Sequence, residues 1–139
     1  MKTIFKISIF LFCSIIYAQV GINTTAPLST LDINGNLSVK TVTLVGSSSA
    51  TNISDGVYIS VNPQATDQEF KLPSPVDYPG RIYYIRNISD NYTAKLTTAA
   101  ANMFFKNLTT GGVSALYMYN NHYRTIMVIS DGLNWTVFD

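Results

Sequence analysis

Cysteine and histidine are almost missing from this chain. The one cysteine, Cys13, lies in the first eighteen residues, and the one histidine is His122. Beyond Cys13 no disulfide can form, and one histidine without a thiol cannot build a zinc cage. A lone histidine between Asn121 and Tyr123, with no partnered nucleophile, reads as an exposed turn residue rather than a general base. Charge is sparse as well: only 12% of residues are Asp, Glu, Lys or Arg, and no run shares one sign. Without a basic stripe there is no footprint for nucleic acid. Long apolar runs are also lacking. The longest, Ile7 to Ala18, holds twelve residues, where a spanning helix needs about twenty. No window after it keeps a helical period, there is no G-x-S-x-G elbow, and Gly111-Gly112 is not followed by the Lys-Ser/Thr of a phosphate loop.

What is present begins at the N-terminus. Lys2 and Lys6 precede the uncharged stretch ISIFLFCSIIYA, which ends in the small residue Ala18. That order is the grammar of a secretory signal peptide, cleaved after Ala18. Residues 1–18 are thus expected to be a leader, and the mature protein to start at Gln19 in the periplasm, at the cell surface or in the medium. Phe12, directly before Cys13, is too bulky for a lipidation signal. Loss of Lys2 and Lys6 leaves seven basic against eight acidic residues. The remaining length suits one modest core, which without disulfides depends on burial, strand pairing or association.

The mature chain reads as a turn-rich opening segment with one strand (19–45), a polar small-residue loop (46–56) and a β-domain (57–139). Gly21, Pro27 and Asn34-Gly35 break the opening segment, and a β-rich stretch, Leu37 to Val45, closes it. Val57, Ile59 and Val61 then alternate with Tyr58 and Ser60. Phe70 and Leu72 alternate until Pro73 and Pro75. After a Pro79-Gly80 turn, Ile82, Tyr84 and Arg86 oppose Tyr83 and Ile85. Residues 92–98, 103–108, 116–119 and 124–129 read as further strands. Asp131-Gly132 turns the chain into a last strand from Trp135 to Phe138. Short strands at such spacing predict an all-β fold, an antiparallel β-sandwich or a small β-roll.

Two stretches carry a resemblance. VGINTTAPLSTLDINGNLSV (20–39), through Val20, Gly21, Ile22, Pro27, Leu31, Ile33, Gly35 and Val39, resembles the opening segment of Bacteroidota surface proteins and phage tail-fibre-like proteins, with Asn23 in place of a usual glycine. Leu72-Pro73, PGRIYYIRNIS (79–89) and SDGLNW (130–135) are similar to landmarks of a β-domain in the same proteins. The resemblance implies a non-enzymatic, fibre- or adhesin-like structural domain, often trimeric. It marks Gly80, Asp131, Gly132 and Trp135 as structural positions.

Other residues imitate sites of chemistry. Asp67 and Glu69, two apart, imitate the carboxylate pair of a glycosidase, but beside Gln68 they read as a solvated loop. Asp32, Asn34 and Asn36 imitate the start of a calcium loop that no Glu closes, and read as turn chemistry. Seven Asn-x-Ser/Thr triplets start at Asn23, Asn36, Asn52, Asn87, Asn91, Asn107 and Asn134, and read as a product of composition. No cofactor and no catalytic residue is expected. The remaining surface candidates are Tyr83, Tyr117, Tyr119 and Tyr123. Tyrosine rows stack on sugars and partners, but tyrosine also packs in cores and at subunit interfaces. Two functions follow: a homo-oligomer, most simply a trimer, of adhesin type, or a small carbohydrate-binding module. Trp135 is expected in the core with its N–H near a loop carbonyl.

Overall fold

The computed structural model describes residues 19–139; the expected leader, 1–18, lies outside the described residues. The chain divides into two units, Met1–Ser38 and Val39–Asp139. In the first, β1 (Val20–Ile22) and β2 (Leu31–Ile33) pair in parallel. The Asp32 carboxylate accepts from the Leu28 amide at 2.8 Å, and the Asn23 side chain donates to the Asn34 carbonyl at 3.1 Å. Asp32 therefore braces the loop between the strands.

The second unit is all-β apart from a short 3-10 turn at Pro75–Asp77. Its strands are β3 (Thr41–Val45), β4 (Thr51–Asn52), β5 (Tyr58–Asn62), β6 (Gln68–Leu72), β7 (Ile82–Asn87), β8 (Ala94–Thr98), β9 (Met103–Phe105), β10 (Ala115–Met118), β11 (Thr125–Ser130) and β12 (Trp135–Phe138). They form a six-stranded sheet, β3-β5-β7-β11-β12-β9, and a four-stranded sheet, β10-β8-β6-β4. From β3 to β10 the chain alternates between the two sheets with every strand.

This alternation corrects the antiparallel expectation. Through β8, each strand that re-enters a sheet after a crossing runs in the direction of its predecessor there, whereas β10 re-enters antiparallel to β8. Hence β3, β5 and β7 lie parallel, as do β4, β6 and β8. Antiparallel pairing is confined to β7–β11, β11–β12 and β8–β10. Strand spacing and turn residues look the same in both arrangements, so the sequence does not distinguish them. Two boundaries also move. Thr41–Val45 belongs to the larger unit's sheet rather than to the opening segment, and the polar loop contains the short strand β4.

Parallel stacking aligns like with like. Val42, Ile59 and Ile85 stand in one register, and Phe70 lies beside Leu96. Inward side chains of both sheets meet in one hydrophobic cluster that includes Ile53, Ile59, Val61, Phe70, Leu72, Tyr83, Ile85, Leu96, Met103, Met118, Val128, Trp135 and Val137. The period of two is clear in β3, β5, β11 and β12 and above all in β7, whose residues alternate exposed and buried along its whole length.

Trp135 is fully buried. Its ring packs on Tyr83 with centroids 5.7 Å apart, and its Nε1 donates to the Pro73 carbonyl at 3.1 Å. The turn before it is built by Asp131, whose Oδ1 accepts from the amides of Leu133 and Asn134 at 2.7 and 2.6 Å. Gly132 (φ +89°) and Gly80 (φ +76°) occupy left-handed backbone, and the Gly80 amide donates to the Ser130 carbonyl at 2.9 Å. Ser130 Oγ donates to the Pro75 carbonyl at 2.8 Å. The turns at 73–80 and 130–134 are thereby tied to each other and to the closing strand.

Candidate functional site

With inward positions filled by the core, the outer faces of the two sheets are left to meet other molecules. On the six-stranded sheet the register runs Tyr58, Tyr84, Met127, Phe138 across β5, β7, β11 and β12. The adjacent row is Ile82, Ile129, Thr136, Phe104 across β7, β11, β12 and β9. Tyr84 is 44% exposed and Ile82 38%. These eight positions carry no charge, but Lys106, whose amide donates to the Val137 carbonyl and whose side chain pairs with Asp139, closes the first row beside Phe138, and Arg86, paired with Thr125, stands in the row beyond Tyr84. Such a face, aromatic and aliphatic with a polar border, has the composition of an interaction surface.

The outer face of the four-stranded sheet differs. Glu69, Lys95 and Tyr117 form one row, and Lys71, Thr97 and Ala115 the next. Thr97 Oγ1 donates to Glu69 Oε1 at 2.7 Å, and Lys71 Nζ lies 3.4 Å from the same oxygen. The Thr97 hydrogen bond, aided by the Lys71 charge, holds the Glu69 carboxyl below its ordinary range. Tyr117 (38% exposed) and Tyr119 (44%) project from the edge strand beside this polar field.

The four tyrosines singled out by sequence thus separate. Tyr117 and Tyr119 share an outer face. Tyr123 (φ +50°) is half-buried against the core, its ring 5.3 Å from that of Phe105. Tyr83 is 1% exposed, and burial raises its phenol pKa. Its reading as a surface contact is corrected. Adjacent strand residues point to opposite faces, and it is Tyr84 that faces out. Sequence reasoning missed the outer row of Tyr58, Tyr84, Met127 and Phe138, since one parallel pairing and two antiparallel ones, all set by the order of strands in the sheet, bring those residues side by side. The alternation of Ile82, Tyr84 and Arg86 was the one signal for it.

The carboxylate reading also changes. Glu69 lies on strand β6, not in a loop, while Asp67 is exposed with φ +62°. Asn87, the start of one Asn-x-Ser triplet, is completely buried. Its Nδ2 donates to the Tyr92 and Met118 carbonyls at 2.9 and 2.8 Å, and its Oδ1 accepts from the Ser89 amide at 2.9 Å. It ties β7 to β10 and to the loop between β7 and β8, and is out of reach of a glycan. His122 is exposed, stacked beside Tyr123 with ring centroids 3.7 Å apart.

Two open depressions have mixed polar and apolar linings. One of about 340 Å³ is lined by residues including Asn52, Lys71, Pro73, Asp77 and Tyr78; another, of about 470 Å³, by Ser47–Ser49 and Asp67–Glu69 among others. Among the described residues no three His, Cys, Asp or Glu side chains gather as a metal set. No helix among them is long and apolar enough to cross a membrane. Comparison with protein-family models, with curated proteins and with solved structures returns no match.

Proposed function

We propose that this chain is a secreted, non-enzymatic β-domain of structural or adhesin type, which acts by self-association and surface interaction after cleavage behind Ala18. One observation carries the reading: an apolar patch on the outer face of the six-stranded sheet, with Tyr58, Tyr84, Met127 and Phe138 in register and Ile82, Ile129 and Phe104 alongside, bordered by Arg86 and by Lys106 with Asp139. In water such a face gains by being covered. The alternation of the chain between two sheets is read as a short roll, which presents broad flat faces rather than a deep cleft. The resemblance of 20–39, 79–89 and 130–135 to tail-fibre-like proteins favours three copies.

Sedimentation of the mature chain tests the reading. An oligomer that dissociates in Tyr84→Asp, with an unchanged far-UV spectrum, is the expected result. A wild-type monomer at high micromolar concentration overturns it.

A second reading, a carbohydrate-binding module, is favoured by Tyr117 and Tyr119 beside Lys95, Thr97 and Glu69. Aromatic planes next to hydrogen-bonding groups suit sugar rings. Glycan-array binding that is lost in Tyr117→Ala/Tyr119→Ala would promote it over the first.

A further inference from the structure

The six-stranded sheet ends at β3, whose outer edge has no strand pairing among the described residues; its Val45 carbonyl accepts only a long bond, 3.4 Å, from Thr51 Oγ1. Its sequence, Thr-Val-Thr-Leu-Val, has no charge, proline or glycine, and at five residues it is the longest of the four edge strands. The opposite edge, β9, has three residues and is flanked by the Lys106–Asp139 ion pair. Sheet edges are normally guarded by charge, proline, bulges or shortness, and β3 shows none of these within its span.

The direction of its backbone groups follows from the ladder. The Lys40 carbonyl accepts from Tyr58 N, and Gly46 N donates to the Asn62 carbonyl. Even-numbered residues therefore face β5. Thr41, Thr43 and Val45 turn their N–H and C=O groups outward.

We propose that two copies of this chain join edge to edge through β3, antiparallel and centred on Thr43, making one continuous sheet across a two-fold axis. The proposal rests on the self-association reading above and names a contact for it. In this register Thr43 opposes Thr43, and Thr41 opposes Val45. Each of these is a hydrogen-bonding position, so about six backbone bonds form. Side-chain faces are kept, because 41, 43 and 45 all lie on the outer face. On the inner face Val42 meets Leu44, and these half-buried side chains cover each other at the open end of the core. Lys40, already paired with Asp55, opposes Gly46, so the two lysines stay apart. Centring on Val42 or Leu44 would turn inward-bonded groups to the partner. A shift that opposes odd to even residues would break the alternation. The contact is isologous, as a two-fold requires. It pairs single copies, or pairs trimers held by the apolar face.

The experiment compares the mature wild-type chain with Thr43→Pro and Thr43→Lys by native mass spectrometry and residue-resolved amide exchange. Thr43→Pro removes an outward N–H without touching the β5 ladder. Thr43→Lys sets two like charges against each other on the axis. In both variants the assembled mass should halve, dimer to monomer or hexamer to trimer. The Thr43 amide, slowed by more than about tenfold in the wild type, should exchange freely in Thr43→Lys. If Thr43→Pro misfolds, Thr43→Lys decides alone. An oligomer of unchanged mass in the variants, with a fast-exchanging Thr43 amide in the wild type, overturns the edge contact and leaves the self-association reading standing. A wild-type monomer overturns both.

Discussion

Truncating Trp135 should be among the most damaging single changes in this chain. The residue starts β12, which is flanked by β11 on one side and β9 on the other, and no part of it reaches solvent. A large aromatic buries about 150–250 Å², and at about 25 cal/mol per Å² its transfer is worth about 4–6 kcal/mol as an upper bound. Trp135→Ala forfeits most of that and opens a cavity against Tyr83. It also removes the indole donor from the half-buried Pro73 carbonyl, which keeps only the long 3.5 Å bond from Thr98 Oγ1, a loss of about 1 kcal/mol. Partial collapse of the site returns some of the sum. The expected net cost is about 3–5 kcal/mol, the usual range for deletion of a large aromatic from a core. Trp135→Phe keeps a ring on Tyr83 but loses the hydrogen bond, and should cost about half as much. Urea melts followed by far-UV circular dichroism, which does not depend on the tryptophan, give both values. With a slope of about 1–3 kcal/mol per molar urea, the alanine variant should melt lower by about 1 M or more. His122→Ala, at an exposed site, should change stability by less than about 0.5 kcal/mol. If Trp135→Ala costs no more than His122→Ala, the closing strand does not anchor the core and the reasoning fails.

Asn87→Ala should destabilise by about 2–4 kcal/mol, because the Tyr92 and Met118 carbonyls and the Ser89 amide lose their partner inside the protein; a cost under about 0.5 kcal/mol in denaturant melts would refute the bridging role. Tyr83 has its pKa raised by burial, so its contribution is complete below the ordinary tyrosine pKa of about 10 and is lost as pH climbs through the higher folded value; stability should fall in that alkaline window, and less steeply in Tyr83→Phe. Glu69 is held low by Thr97 and Lys71, so its contribution is present above the unfolded pKa of about 4.3 and disappears as pH falls through the folded one; Thr97→Val should raise the Glu69 titration midpoint seen by NMR, and an unmoved midpoint would show that the hydrogen bond is not its cause. Melting temperature should not change in EDTA or in reducing agent, and a drop of many degrees in EDTA would return Asp32, Asn34 and Asn36 to consideration as calcium ligands.

Much of the strand plan was legible in one dimension. Alternation in Ile82 to Asn87 assigns Tyr83 and Ile85 to one face and Ile82, Tyr84 and Arg86 to the other, and the structure keeps that division. What alternation lacks is the sign of the face, which is why Tyr83 stands among the contact candidates with core packing left open, while Tyr84 occupies the surface. Turns were legible because their chemistry is local: Asp131 satisfies amides two and three residues ahead, and Gly132 accepts a backbone angle that side chains resist. The leader grammar of residues 1–18 is equally local, since it depends on residue order alone.

The parallel stacking belongs to tertiary structure alone. Whether a strand returns beside its predecessor or crosses to a second sheet is decided by the packing of both sheets on one core, and the same turn residues serve either path. From that decision follow the row of Tyr58, Tyr84, Met127 and Phe138, drawn from four separate strands, and the buried post of Asn87, whose partners lie up to 31 residues away. The bare edge of β3 follows too. Its five residues are ordinary strand formers, and only their place at the end of a sheet turns their backbone into a binding edge. Composition and local order determined that this chain makes β-strands and where it turns, and they carry the expectation of an export signal at its start. Long-range pairing decided which side chains share a face, because a strand's neighbours are chosen by burial across the whole core and not by the residues next to it in the chain.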